Sequence, residues 1–259
     1  MIGALHQAEQ VTALYFFVME RFRIANLTVD MECKYPLMIK RSRKFLLDGE
    51  PQGEADMTVF TCDNELIALK DRVEAFSLSD SEYMVLCDQF YKRLLRFDGM
   101  LLHASAVEYK NRAYLFSANS GIGKSTHTHL WLKYVKGTEI LNDDKPAIRR
   151  IDNDFFAFGT PFSGKTDETK TTGAKIAAIT FIERSTENKI IKLSSAEALP
   201  LIMGQTVRPS TSREHMEILL GFLDGLLKSV PIYKLYCDIS REAVRTSFEE
   251  LTGEKLFEE

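Results

Sequence analysis

Runs of alternating or continuous apolar positions, punctuated by glycine, proline and short polar clusters, divide the chain into strands and helices. Residues 24–32 alternate apolar and polar side chains as a half-buried strand does, and residues 57–62 again read as extended. Residues 11–23 mix strong β formers (Tyr15, Phe16, Phe17, Val18, Phe22) with helix formers and fit either state. Gly49-Glu-Pro-Gln-Gly53 is a loop by its punctuation. Ser79-Asp-Ser-Glu82 has the form of a capping box, and Tyr83, Cys87, Phe90, Tyr91, Leu94 and Leu95 follow at helical spacing, with Gly99 suited to a C-cap.

After Gly99 the pattern turns to strands. Residues 101–109 and 113–117 are two extended runs joined by the polar Lys110-Asn-Arg112, a hairpin signal. Parallel neighbours need crossovers of a dozen or more residues, so these two strands must pair antiparallel. Short strands are expected at 139–145 and 155–158, and a buried one at 175–182. Ser194-x-x-Glu197 opens a short helix that Pro200 should disturb. Thr211-x-x-Glu214 opens a longer one with Met216, Leu219, Leu220, Leu223, Leu227 and Val230 on one face. Residues 231–237 are extended, and Ser240 caps a last helix running through Leu251. The expected fold is α/β, a mixed and partly antiparallel sheet in residues 99–259, with residues 1–98 forming a β-rich α+β layer packed on it.

Composition narrows the function classes. A chain of 259 residues with 45% hydrophobic and 27% charged residues is ordinary for a globular protein. A formal net charge of -4 gives no reason to expect nucleic acid as the main partner. The longest apolar run, residues 13–19, is far too short to span a membrane, and the first residues lack a signal-peptide pattern. Cys33, Cys62, Cys87 and Cys237 are scattered, so they read as reduced thiols in a cytoplasmic protein rather than a metal site. The oligomeric state is left open, a homo-oligomer included.

The chemistry concentrates in residues 116–126. An apolar strand enters the small-residue loop Asn119-Ser120-Gly121-Ile122-Gly123, and a helical segment leaves it through Lys124, Ser125 and Thr126. That order, strand, glycine loop and helix, is the one a P-loop requires. The loop and helix amides would cradle phosphates, Lys124 would reach the β/γ-phosphates, and the Ser125 hydroxyl would ligate Mg²⁺. Downstream, Asn142-Asp143-Asp144 tips a strand with two carboxylates aimed at different faces. Phosphoryl transfer needs one acid near the metal and a group to orient or deprotonate the acceptor. Gly159-Thr-Pro-Phe-Ser-Gly-Lys165 repeats the recipe of glycine, hydroxyl and lysine, either as a site loop bringing Lys165 to phosphate or as a solvated hairpin. Arg208, before Pro209, is a candidate for transition-state charge. His127 and His129 stand at i, i+2 on different helix faces and are no metal pair.

His103-Ala-Ser-Ala-Val107, the hairpin, Ser120-Gly-Ile-Gly-Lys-Ser125 and Asn142-Asp-Asp144 together resemble the catalytic core of HPr kinase/phosphorylase, itself similar to the nucleotide-binding part of PEP carboxykinases. The resemblance covers about residues 99–185. It implies ATP and Mg²⁺, with Asp143 as the base, Asp144 beside the metal and His103 near the transferring phosphate. Ala104, Ala118 and Thr126 depart from the usual pattern, and the downstream signature for engaging HPr is missing. The closer likeness is therefore to the diverse HPr-kinase-like proteins. The expected function is an ATP- and Mg²⁺-dependent kinase acting on a hydroxyl of a protein, peptide or small molecule. The alternatives are a nucleotide-binding regulatory module without transfer and PEP-carboxykinase-like chemistry.

Overall fold

The computed structural model describes residues 19–49, 53–207 and 213–256. It begins with a small sheet of β1 (Met19–Ile24), β2 (Leu27–Glu32) and, after α1 (Pro36–Ser42), β3 (Met57–Val59). The alternating run at 24–32 is thus not one strand. Ala25 and Asn26 both adopt positive φ (53° and 60°) and turn β1 back on β2, with Ile24 opposite Leu27. Two such residues make the tight turn that matches strand twist.

Helices α2 (Asp63–Arg72) and α3 (Leu78–Leu94) follow. The capping box lies two residues earlier than the sequence suggests: Ser77 accepts from the Asp80 amide, and the Asp80 carboxylate accepts from Ser77. Glu82 is instead fully buried, and its two oxygens accept the amides of Lys34 (2.5 Å) and Tyr35 (3.0 Å) where α1 begins. Gly99 does not cap α3 either. Asp98 takes the left-handed conformation (φ 51°), whereas a Cβ on Gly99 would come within 2.7 Å of Leu94 Cγ.

The remaining strands form one sheet: β4 (Gly99–Leu101), β5 (Ala104–Tyr109), β6 (Arg112–Ser117), then after α4 (Lys124–Tyr134) β7 (Glu139–Asp144), β8 (Ala147–Ile151), β9 (Asp154–Phe158), β10 (Gly173–Arg184) and β11 (Lys189–Lys192). Helices α5 (Ser195–Gly204) and α6 (Arg213–Ser229), strand β12 (Ile232–Cys237) and helix α7 (Arg241–Thr252) complete the described chain. The order is β4-β8-β9-β10-β6-β5-β7, with β12 beside β10 and β11 beside β12. The expected hairpin is present: β5 pairs antiparallel with β6, Tyr109 facing Arg112 across a turn in which Lys110 and Asn111 both have positive φ. β10 runs parallel to β6 and β12, so the sheet is mixed.

Period-two alternation distributes β6 between two cores. Ala113 and Leu115 join the cluster under α5 and α6, and Tyr114 and Phe116 join the one under α4 and α7. Trp131 of α4 is fully buried there, and its Nε1 donates to Ser247 Oγ of α7 (3.0 Å). Burial of that kind is worth about 1.5–3 kcal/mol per large side chain. On α6 the buried face is Leu219, Phe222, Leu223 and Leu226, while Leu220 is exposed, and α5 continues through Pro200. The third cluster joins β1–β3 and α3 to Leu101, Ala147, Phe158 and Phe162. No described helix is long and apolar enough to cross a membrane.

Candidate functional site

Register gathers the candidate residues. β6 and β7 both pair antiparallel with β5, so their C-terminal ends meet at the start of β5: Ala104 faces Ser117 on one side and Asp144 on the other. His103 precedes that point, the glycine loop leaves β6 beside it, and Asp143 lies opposite Ser105. β10 and β12 run parallel to β6, which brings Arg184 and Cys237 to the same end of the sheet. Ligands of open α/β sheets bind at that edge.

Gly121 (φ 79°) and Gly123 (φ 128°) bend the loop through conformations that L side chains rarely adopt. Gly123 is the N-cap of α4, so no cap side chain accepts the first-turn amides, and the first turn holds no acid. The partial positive charge of the helix start therefore has no counter-charge on its own turn. Lys124 is buried, its Nζ donating to Ala118 O (3.0 Å). Burial lowers its pKa, and the charges of Asp144 and Asp143 offset part of that. Arg184 braces the loop from the other side by donating to the carbonyls of Gly121 and Ile122.

The two acids have different surroundings. Asp143 is only 3% exposed, and its oxygens accept from Ser125 Oγ (2.7 Å) and Thr166 Oγ1 (2.9 Å). Asp144 holds a φ of 118°, a conformation rare outside glycine and costly by about 1–3 kcal/mol. Its carboxylate meets His103 Nε2 (2.9 Å) and Lys145 Nζ. Burial alone would raise the Asp144 pKa, but the hydrogen bond from His103 and the Lys145 charge overcome it and hold it at about 2. Burial likewise opposes the Lys145 ammonium, yet Tyr83 and Asp144 beside it keep its pKa above the ordinary lysine value.

His103 is tied to the loop by a relay. Its Nδ1 lies 3.1 Å from Gln205 Oε1, and Gln205 Nε2 donates to Asn119 Oδ1 (2.8 Å). The segment after Gly159 packs on the acids through Gly164, where a Cβ would lie 3.1 Å from Asp144 Cβ. Contact with Asp143 runs through Gly164 and Thr166, while Lys165 is exposed. Arg208 lies outside the described residues. His127 is buried against Ser247 (3.0 Å), and burial pushes its pKa down to about 3.

Ser125 Oγ and the Asp143 carboxylate form a pair of hard oxygen donors, which fits Mg²⁺, an ion that takes one or two protein ligands and completes its shell with water and phosphate. Among the described residues no group of three or more His, Cys, Asp or Glu is poised to hold a metal without such help. Sequence reasoning missed Lys145, Thr166, Arg184 and Gln205. Lys145 was readable as the cation following the acid pair, whereas Gln205 reaches His103 across 102 residues and left no local signal.

No family model matches this chain, and no curated protein matches it. Among solved structures, the HPr(Ser) kinase/phosphatase from Coxiella burnetii aligns at 10% identity over 59% of this chain and 93% of its own, with a TM-score of 0.34. It is a weak structural neighbour, and so distant a likeness carries no argument about chemistry, which has to come from this chain's own residues.

Proposed function

We propose that this protein is a kinase that binds ATP with Mg²⁺ on the glycine loop and transfers the γ-phosphate to a hydroxyl of a protein, peptide or small molecule. The observation that carries the reading is the hydrogen bond from Ser125 to Asp143 at the loop's end, next to the Asp144–His103 pair. A phosphate-cradling loop whose hydroxyl touches a carboxylate is the arrangement that holds a metal against β- and γ-phosphates. Mg²⁺ bound there supplies charge neutralisation on the transferring phosphoryl group.

We read the two acids in the reverse sense to the resemblance, supported by their hydrogen bonds. Asp143 is the acid beside Ser125, so it takes the metal side. Asp144, more exposed and flanked by His103 and Lys145, faces the transfer site, where His103 orients its carboxylate toward an incoming hydroxyl and Lys145 offsets phosphate charge. Lys124 and the amides of Gly121 to Thr126 bind the phosphates.

Transfer from γ-labelled ATP to candidate acceptors, read by mass spectrometry, tests the reading. Asp144→Asn is expected to lower transfer by about 10²–10⁴-fold with Mg²⁺-ATP affinity nearly intact. Asp143→Asn should weaken Mg²⁺-dependent binding as well. The opposite pattern would return the base to Asp143. Tight ATP binding without transfer to any acceptor, unchanged by either variant, would leave a nucleotide-binding module.

A further inference from the structure

We infer that the cleft beside the glycine loop, on the side away from the acids, receives the nucleoside end of the nucleotide; this rests on the kinase reading above. The cleft measures about 620 Å³, within the range of small-molecule sites. It is lined by Ile122, Thr126 and Leu130 on the α4 side and by Ile182 and Ile239 at the ends of β10 and β12, with Arg184 and Asp238 also on its wall.

Three features point to this occupant. Ile122, Gly123 and Thr126 belong both to the loop and to the cleft, so one molecule can lie across the two. On the other flank of the loop the described groups are Asp143, Thr166, Asp144 and His103, whose chemistry suits phosphate and a metal rather than a base. Ile239 is 74% exposed. A single exposed isoleucine needs no explanation by itself. Standing at the mouth of an apolar slot that opens onto a phosphate loop, it supplies the lid a flat ring would pack against.

The cleft also holds a polar group without a partner. His127 lines it, its Nε2 bonds to Ser247, and its Nδ1 is buried with no hydrogen-bond partner. An imidazole with one unpartnered nitrogen can hydrogen-bond to a base or ribose.

Calorimetric titration of the full chain with Mg²⁺-ATP and with Mg²⁺-tripolyphosphate tests the inference. Wild type is expected to bind ATP at least about tenfold tighter than tripolyphosphate. Ile239→Ser, an exposed and uncharged change, should weaken ATP by about tenfold and leave tripolyphosphate within about twofold. Leu130→Ala should act in the same direction, with thermal melts confirming that both variants fold. Equal wild-type affinities for the two ligands, or variants that weaken both ligands together or neither, would overturn the nucleoside cleft while leaving the loop assignment standing. Binding of neither ligand would remove the loop assignment, and the cleft with it.

Discussion

The layer before Phe97 and the strand ends beyond Gly99 both bury charged side chains, but to different ends. At the strand ends, Lys124 and Asp143 are buried around the glycine loop: Lys124 donates to the carbonyl of Ala118, and Asp143 accepts from the hydroxyls of Ser125 and Thr166. In the first layer, Arg41 and Glu82 are buried against backbone. Arg41 donates to the carbonyls of Ser163 and Gly164 (2.6 Å to the latter) and lies 5.1 Å above the Tyr83 ring, while Glu82 holds two amides at the start of α1. Tyr83 completes the connection through Lys145 Nζ (3.1 Å). On the proposed reading the strand-end groups change partners when a nucleotide binds, whereas the first layer holds the loop and the lysine that border it. The first layer thus packs its buried charges against the loop and the lysine beside the candidate site.

The largest effect that would break this contrast belongs to Lys124. Lys124→Ala should fold normally and lose about 100-fold in Mg²⁺-ATP affinity, near the upper end for a charge-assisted hydrogen bond. Equal calorimetric affinities would show that the buried lysine is structural like Arg41, and the contrast would collapse.

Arg41→Met should do the reverse. Leaving two carbonyls without their donor is expected to cost about 2–3 kcal/mol, a fall of about 5–10 °C in melting temperature for a chain of this size. ATP affinity should change less than about threefold. A variant that melts normally but loses ATP would place Arg41 in the binding machinery.

Glu82 gives the most specific effect, one that depends on pH. Burial raises its pKa to about 7, against the opposing amide hydrogen bonds of Lys34 and Tyr35. The ordinary value for a glutamate is 4.5. Between those values the folded protein keeps a proton that the unfolded chain has released. Its stabilisation is therefore complete below about pH 4.5 and is lost as pH rises through about 7, by about 1.4 kcal/mol per pH unit inside that window. Denaturant titrations across pH 5–7 should show this decline in wild type and a shallower one in Glu82→Gln. Parallel slopes would mean that Glu82 is charged throughout and that the two amides outweigh its burial.

Local chemistry determined much of this protein from sequence alone. The hairpin of β5 and β6, the glycine loop before α4, the acids ending β7 and the cap at Ser240 follow from spacing, turn residues and side-chain period, all acting within a few residues. The turn at Ala25-Asn26 was hidden because alanine is an unusual choice for positive φ, and the Ser79 cap failed because a second Ser-x-x-acid pair stood two residues upstream. Only tertiary structure decided which acid touches Ser125, since adjacent strand residues diverge and nothing local says which face the loop will meet. The links from Gln205 to His103, from Arg41 to Gly164 and from Tyr83 to Lys145 span 102, 123 and 62 residues. Such contacts leave no periodic trace, because they depend on where two separately formed elements come to rest against each other.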